Sequence, residues 1–555
     1  MAGPLPRPRP RRDAWICLAL VGAMQCLAML DRNILAILNP RIKADLHIGD
    51  AEMGLLYGTV FALFYAVFSL PLGRLADGWR RGWLLAICIA LWSFATGLAG
   101  FAGGFAMLAV SRLGVGIGEA AVQPAGTSLV FDHFPKNRRG LALAVMAALL
   151  AAGLGLSSVL GGAAADAWDH AFAGGQAFGV GHAIGGGHAA PLGLKGWQFA
   201  FLLAALPGLP LAILLGLMRE PVRGLSDGIV SPRDPAPFRA SLDVLIAVLP
   251  LGVWWTLVRR GAGRAVLARN AAALVAIALV MTGLARFCGW LSPRPPLHLM
   301  GLTIDPHALQ WTIVGIGGYV VVNFLQSLRL TDRPTHAVIM GSPALWLCLL
   351  VGSLQTTINY GIMGFTPAFL MKTWHLSAAD VGVRFGLLSA AIGMVGPAIS
   401  GPASDWLAAR FGAGGRVMLV LVSLGLSPLV GYAVYTAPDP ATFYLRFTLY
   451  SVILTMWLPP LYAVLYEQVL PRMRGQTAAL YILLMTILGL GIGPYWVGMV
   501  ADRTHGDLGT AILSVNGLAP VIVLLLVLLW RRADRDAAGA VVRASAAGEP
   551  VQTLR

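Results

Sequence analysis

The chain has 555 residues, of which 57% are hydrophobic and only 12% charged, with a formal net charge of +15. Soluble domains carry about twice that share of charged residues, so a soluble enzyme or binding domain is excluded and a polytopic helical membrane protein is expected. The excess of basic residues does not point to nucleic acid, because it lies in short loops on alternate sides of apolar segments, the positive-inside pattern, and no basic, aromatic-interleaved soluble domain is present.

In chain order, a tail at 1–13 with Arg7, Arg9, Arg11 and Arg12 precedes helix 1 (about 14–38), which is too long an apolar run for a cleaved signal peptide. Helix 2 (about 53–76) ends in Gly73-Arg74-Leu75-Ala76-Asp77-Gly78-Trp79-Arg80-Arg81, a basic and therefore inside loop. Helix 3 (about 83–103) and helix 4 (about 105–131) follow, then a second inside loop at 132–139, helix 5 (about 141–165), a Gly-rich outside loop with His170, His182 and His188, and helix 6 (about 196–218). Three spaced histidines alone do not make a metal site, and no metal or cofactor is expected.

Residues 220–342 form an oversized connection with three apolar runs near 240–258, 267–290 and 309–327. If all three crossed, Arg259, Arg260, Arg264 and Arg269 would lie outside, against the positive-inside rule. The first run, with Asp243, Pro250 and Trp254-Trp255 beside arginines, is read as an interfacial helix, and the other two as extra crossings. The second half repeats the rhythm: helix 7 (about 343–370), helix 8 (about 382–409), helix 9 (about 417–436), helix 10 (about 441–466), helix 11 (about 475–500) and helix 12 (about 508–530). The expected organisation is a cytoplasmic tail (1–13), a six-helix bundle (14–219), a linker (220–342), a second six-helix bundle (343–532) and a disordered cytoplasmic tail (533–555). That is fourteen crossings in a plasma (bacterial inner) membrane with both termini inside. Gly73-x-x-x-Asp77 and Gly401-x-x-x-Asp405 occupy matching places in the halves, an internal repeat typical of secondary transporters.

The chemistry concentrates in helix 4, at Ser111-Arg112-Leu113-Gly114-Val115-Gly116-Ile117-Gly118-Glu119. A cation and a carboxylate in the hydrocarbon core are costly and mark a pathway or proton relay. Two helical turns put Arg112 and Glu119 on one face, roughly 10 Å apart, too far for a direct pair. Asp31 lies at a depth similar to Arg112, so Asp31–Arg112 is the expected cross-helix pair, which leaves Glu119 as the protonatable carboxylate; Arg32 points elsewhere than Asp31. A purely structural pair is the alternative. Asp77 is expected to latch onto the N-terminus of helix 11, where the macrodipole is positive, while Arg80 and Arg81 hold carboxylates or lipid phosphates, Asp405 answers Asp77 in the second half, and Gly73 lets helix 2 approach a neighbour. Tyr65, Gln123, Asn359, Tyr360, Trp457 and Tyr462 are candidate cavity residues. The five cysteines show no CxxC spacing and read as small core residues. No phosphate loop, nucleophile elbow or ligand cluster appears, which argues against an ATP-driven pump or an embedded hydrolase.

Gly73-Arg-Leu-Ala-Asp77 with Arg80-Arg81 resembles the helix 2–3 signature of the major facilitator superfamily, and Arg112-x-x-x-Gly116 its helix 4 signature. Leu30-Asp31-Arg32-Asn33-Ile34-Leu35, Pro40-Arg-Ile-Lys-Ala-Asp-Leu46, Gly118-Glu119-Ala120 and Phe134-Pro135 are similar to the spinster-like branch, which includes lysolipid exporters. The resemblance covers helices 1–6 well and helices 7–12 more loosely. It implies two six-helix bundles working by alternating access, and proton-linked roles for Asp31, Arg32, Arg112 and Glu119. The expected function is therefore secondary transport, with protons as coupling ion, membrane lipids as surroundings, no nucleic acid, and a monomer as the working unit. Export of an amphipathic organic molecule or lysolipid is the first reading, uniport or import of a small polar metabolite the second, and a non-transporting receptor a distant third. Two departures stand out: Gly78 where an arginine is usual, and the 220–342 insertion.

Overall fold

The computed structural model describes residues 12–134, 139–172, 190–221, 236–249, 252–259, 261–299, 302–470 and 473–549. The arginines at 7, 9, 11, 138, 223, 260 and 472, with His182, His188 and Pro250, lie outside them. Fourteen helices among the described residues are long and apolar enough to cross a membrane. They are Arg12–Leu46, Glu52–Ala76, Arg81–Ala99, Phe105–Val130, Ala148–Phe172 and Gly196–Leu217 (helices 1–6), Arg264–Leu291 and Pro306–Leu330 in the linker, and Pro343–Trp374, Asp380–Phe411, Ala413–Tyr435, Pro440–Glu467, Gln476–Arg503 and Leu508–Ala538 (helices 7–12). This is an all-α polytopic membrane fold; among the described residues, Leu297–Leu299 pairs antiparallel with Leu302–Ile304.

By contacts the chain forms two compact units. The first holds residues 1–37, 68–244 and 382–390; the second holds 38–67, 245–381 and 391–555. In the second unit, helices 2 and 11 each carry a π-helical turn, Leu55–Thr59 and Met485–Leu490. Such turns are rare and widen the helix locally. Here they sit where backbones meet: a side chain at Gly54 would come within 2.5 Å of the Pro494 carbonyl. Helix 11 is equally close to helix 7, since a Cβ at Gly493 would stand 3.0 Å from the Thr357 carbonyl carbon and 3.1 Å from the Gly361 nitrogen. Gly493→Val is therefore expected to cost about 1–3 kcal/mol by overpacking. Gly393→Ala, whose site has nothing within 4 Å, is expected not to destabilise; thermal unfolding in detergent checks both.

Several spans that hydropathy shows as one apolar run are broken. Helix 4 stops at Glu119 and restarts at Val122, with Pro124 in the new first turn, where its missing N–H costs nothing. Helix 6 breaks before Gly208 at Pro207, and helix 10 between Thr455 and Leu458, next to Pro459. Asp439 and Asp507, outside the membrane spans, cap helices 10 and 12. Hydrogen bonds from Thr442 and Thr510 hold these carboxyls below their ordinary range, so the caps persist in mild acid and are lost only as pH falls through the depressed values.

In the linker, Pro237–Val248 and Gly252–Arg259 meet at 111°, and Phe238, Leu242, Trp255 and Val258 remain exposed. The expected disorder from residue 533 is corrected: helix runs to Ala538 and a further helix spans Ala540–Ala546, with Ala540 and Ala544 buried. Alanine is the best helix former, and Arg543 fastens the tail through a 2.7 Å bond to the Asp536 carbonyl.

Candidate functional site

Helices 1 and 4 of the first unit bring together four charged side chains, Asp31, Arg32, Arg112 and Glu119. Asp31 and Glu119 are fully buried, Arg112 is 2% exposed, and the Arg32 side chain is 13% exposed. The pairing differs from the expectation. Arg32, not Asp31, crosses to helix 4: its guanidinium donates to Glu119 Oε2 at 2.5 Å. Arg112 donates to the backbone carbonyl of Asp31 at 2.9 Å rather than to its carboxylate, and its guanidinium lies 5.4 Å from the centroid of the Phe201 ring on helix 6. Glu119 is therefore an ion-paired carboxylate, not the uncommitted one.

Local sequence explains the geometry. Glu119 is the last residue of the first segment of helix 4, where the macrodipole is negative and a carboxylate is disfavoured unless a cation faces it; Arg32 supplies that cation. Two glycines of helix 4 let helix 3 come close. A Cβ at Gly114 would meet Ala95 Cβ at 2.7 Å, and one at Gly118 would meet Trp92 Cβ at 2.6 Å. Ser111 adds a 2.7 Å bond to the Ala95 carbonyl. Helix 3 thus comes close enough to bring Trp92 and Thr96 beside Asp31.

The Asp31 carboxylate is bonded to no cation among the described residues; its polar neighbours are the Trp92 and Thr96 side chains of helix 3. Glu119 Oε1, Arg112 Nε and Nη2 and Ser93 Oγ are buried without a partner among the described residues. Nearly all buried polar groups in proteins are paired, so this density of unmet donors and acceptors marks a place that can take up a proton, water or the polar group of a ligand. Asp31, Arg112 and Glu119 interact electrostatically with one another. Helix 3 residues were not legible as part of this site, since Trp92 and Thr96 read as an ordinary apolar face.

The signature loop gives a second cluster in the same unit. Arg81 is fully buried and bridges Asp132 (2.6 Å) and Glu220 (2.7 Å), while also donating to Ser128 Oγ (2.8 Å); its own N–H donates to Glu220 Oε2 at 3.0 Å. Arg80 is exposed. The side chain of Asp77 lies outside the described residues, as does that of Arg474. Gly73 is not a tight approach: a Cβ there would sit 3.7 Å from Pro124, an ordinary contact. In the second unit Arg416 takes the place of Arg81, bridging Asp405 (2.6 Å) and Glu467 (3.1 Å). The repeat thus extends to an arginine at the start of helix 3 or 9 and a carboxylate at the end of helix 4 or 10, which the spacing of Gly73 and Gly401 alone did not disclose.

Of the candidate cavity residues, Tyr65 and Tyr360 are electrostatic neighbours of Tyr462 in the second unit, and Tyr65 stacks on Phe61 with centroids 5.4 Å apart. Asn359 Oδ1 accepts from Gln355 at 2.9 Å. Gln123, in the first unit, is exposed, whereas Trp457 is only 3% exposed and packs as core. The five cysteines are free, and four of them are buried.

The family model described as Major Facilitator Superfamily matches residues 21–494. An MFS-type efflux pump of Mycolicibacterium smegmatis is 26% identical over 518 residues, covering 93% of this chain and 91% of that protein. Protein spinster of Drosophila melanogaster is 27% identical over 217 residues, covering 39% of this chain and 31% of its own length. Among solved structures, a bacterial homologue of the human lysosomal transporter spinster, in an inward-facing and occupied conformation, superposes with a TM-score of 0.60 at 20% identity, covering 98% of this chain and all of that one. With fourteen membrane-length helices, a signature loop at Gly73–Arg81 and this match over most of its length, the chain belongs to the Major Facilitator Superfamily of membrane transporters.

Proposed function

We propose that the protein is a proton-coupled secondary transporter that exports an amphipathic organic molecule or a lysolipid by alternating access, with Asp31, Arg32, Arg112 and Glu119 as its coupling cluster. The observation that carries this reading is the buried set of two carboxylates and two guanidiniums on helices 1 and 4, in which Glu119 is paired with Arg32 and the Asp31 carboxylate is bonded to no cation among the described residues. With both carboxylates ionised the four charges cancel. Adding one proton leaves a net positive charge in a dry site, where charges interact far more strongly than in water. Loading and releasing that proton changes which arrangement of the cluster is stable, and the substrate must bind the two states differently for flux to follow. Outward transport is supported by the likeness to an efflux pump over nearly the whole chain, and a lysolipid by the resemblance of the helix 1 and helix 4 motifs to the spinster-like branch. The basic loops support cytoplasmic termini, and the Arg81 and Asp405 clusters, with Gly73, Asp77 and Arg80, are assigned to the cytoplasmic gate.

The test is transport of a lysophospholipid panel by the purified protein in proteoliposomes under an imposed pH gradient. Gradient-driven flux of one member supports the reading. Flux indifferent to pH favours a uniporter, and binding without flux makes the protein a receptor.

A further inference from the structure

Of the two linker helices, Arg264–Leu291 lies at the edge of its unit, with only 11% of its apolar window buried, and packs against Pro306–Leu330, where the share is 50%. Between them is a groove of about 420 Å³. Its walls are apolar, from Ile277, Ala278 and Met281 on one helix to Gly315 and Ile316 on the other, and Tyr319 closes its far end. Ala278, Thr282 and Thr312 on its rim are exposed, so the groove opens toward the surrounding bilayer. Leu274 to Arg286 spans twelve residues, which gives the groove a length of about 18 Å, close to the ~15 Å depth of one leaflet's hydrocarbon.

Two charged residues stand at one mouth, Arg286 on the first helix and Asp305 at the start of the second. Both are exposed. Arg286 lies five residues, about 7.5 Å, from the end of its helix at Leu291, within snorkelling reach of the headgroup layer. An arginine on a lipid-facing helix is costly unless something answers its charge, and no ion pair of Arg286 occurs among the described residues. Asp305 accepts the N–H of His307 through one oxygen and caps its helix. One guanidinium and one carboxylate at the mouth of an acyl-wide groove match one headgroup chemistry: a phosphate beside an ammonium.

We propose that this groove is a binding site for a zwitterionic phospholipid of the phosphatidylethanolamine type, one acyl chain lying between the linker helices, the phosphate on Arg286 and the ammonium on Asp305. The site is separate from the helix 1–4 cluster and does not depend on the transport assignment. The Asn270 network fixes the groove's inner end: Asn270 donates to Asn323 (3.0 Å) and Gln326 (2.7 Å), accepts from Tyr319, and accepts from Trp254 (2.6 Å). The helices are thereby held at constant spacing, so the groove is preformed.

The experiment is native mass spectrometry of the full chain, delipidated in detergent and titrated with phosphatidylethanolamine and, separately, phosphatidylglycerol. The wild type is expected to bind one phosphatidylethanolamine at least tenfold more tightly than phosphatidylglycerol. Arg286→Gln should weaken both lipids about tenfold. Asp305→Asn, which keeps the helix cap, should erase the preference while retaining phosphatidylglycerol. Thr282→Trp should block chain entry and lower both, and a circular-dichroism melt of each variant separates lost binding from lost fold. Equal binding of the two lipids by the wild type, or unchanged binding in folded Arg286→Gln and Thr282→Trp, overturns the proposal.

Discussion

Glu119→Gln is expected to abolish pH-gradient-driven flux while leaving the protein folded. The amide keeps the shape of the side chain and still offers an oxygen to Arg32, whose present bond to Glu119 is 2.5 Å. What disappears is the negative charge and the capacity to hold a proton. With two guanidiniums facing the single ionised carboxylate of Asp31, the cluster carries a net charge of one, the same balance as the protonated wild type. If Glu119 carries the coupled proton, the variant cannot use the gradient, and the driven rate should fall at least tenfold, equivalent to about 1.4 kcal/mol in the barrier. Exchange of substrate at equal pH on both sides should persist. Asp31→Asn makes the same change in charge at the carboxylate bonded to no cation among the described residues, and comparing the two variants assigns the proton. Loss in Asp31→Asn alone would place it on helix 1, and gradient-driven flux in both variants would remove the cluster from coupling altogether.

How much of this was readable from the sequence depends on the interaction involved. Hydrophobic runs and loop charge gave the fourteen crossings, because bilayer thickness and backbone hydrogen bonding leave an apolar segment few alternatives. The same pattern identified the charged residues worth following, since a carboxylate inside such a run is conspicuous. It could not assign partners. Depth along a helix is uncertain by several residues, and one residue rotates a side chain by about 100°. Depth alone therefore matches Asp31 to Arg112, while the structure joins Arg32 to Glu119 and gives Arg112 a backbone carbonyl. The break in helix 4 was equally hidden, because Pro124 in the first turn of a new segment reads like a proline tolerated within a membrane helix. Glu220 was read only as the start of the linker, and its role became visible once helix 6 brought it to Arg81.

The two arginine clusters allow a prediction in which burial, not the number of ion pairs, decides the outcome. Each arginine bridges two carboxylates, so a count of bridges would rank them equal. Arg81, however, is fully buried, and its partners Asp132 and Glu220 have side chains only 8% and 21% exposed. Arg416 is 15% exposed, with partners Asp405 and Glu467 at 74% and 38%. Removing one member of a buried pair leaves charge that water cannot reach, at a cost of about 3–5 kcal/mol, whereas exposed pairs contribute about 0–1 kcal/mol. Arg81→Ala should therefore lower the unfolding temperature in detergent severely and reduce the yield of folded protein, while Arg416→Ala should barely move it. Arg81→Lys should fall between wild type and alanine. A lysine restores the charge, but its single ammonium cannot reproduce a planar fork that reaches Asp132, Glu220 and Ser128 together. If Arg416→Ala proved as damaging as Arg81→Ala, solvent screening would not govern these loops, and the second-half cluster would have to be reassigned as an equal structural anchor.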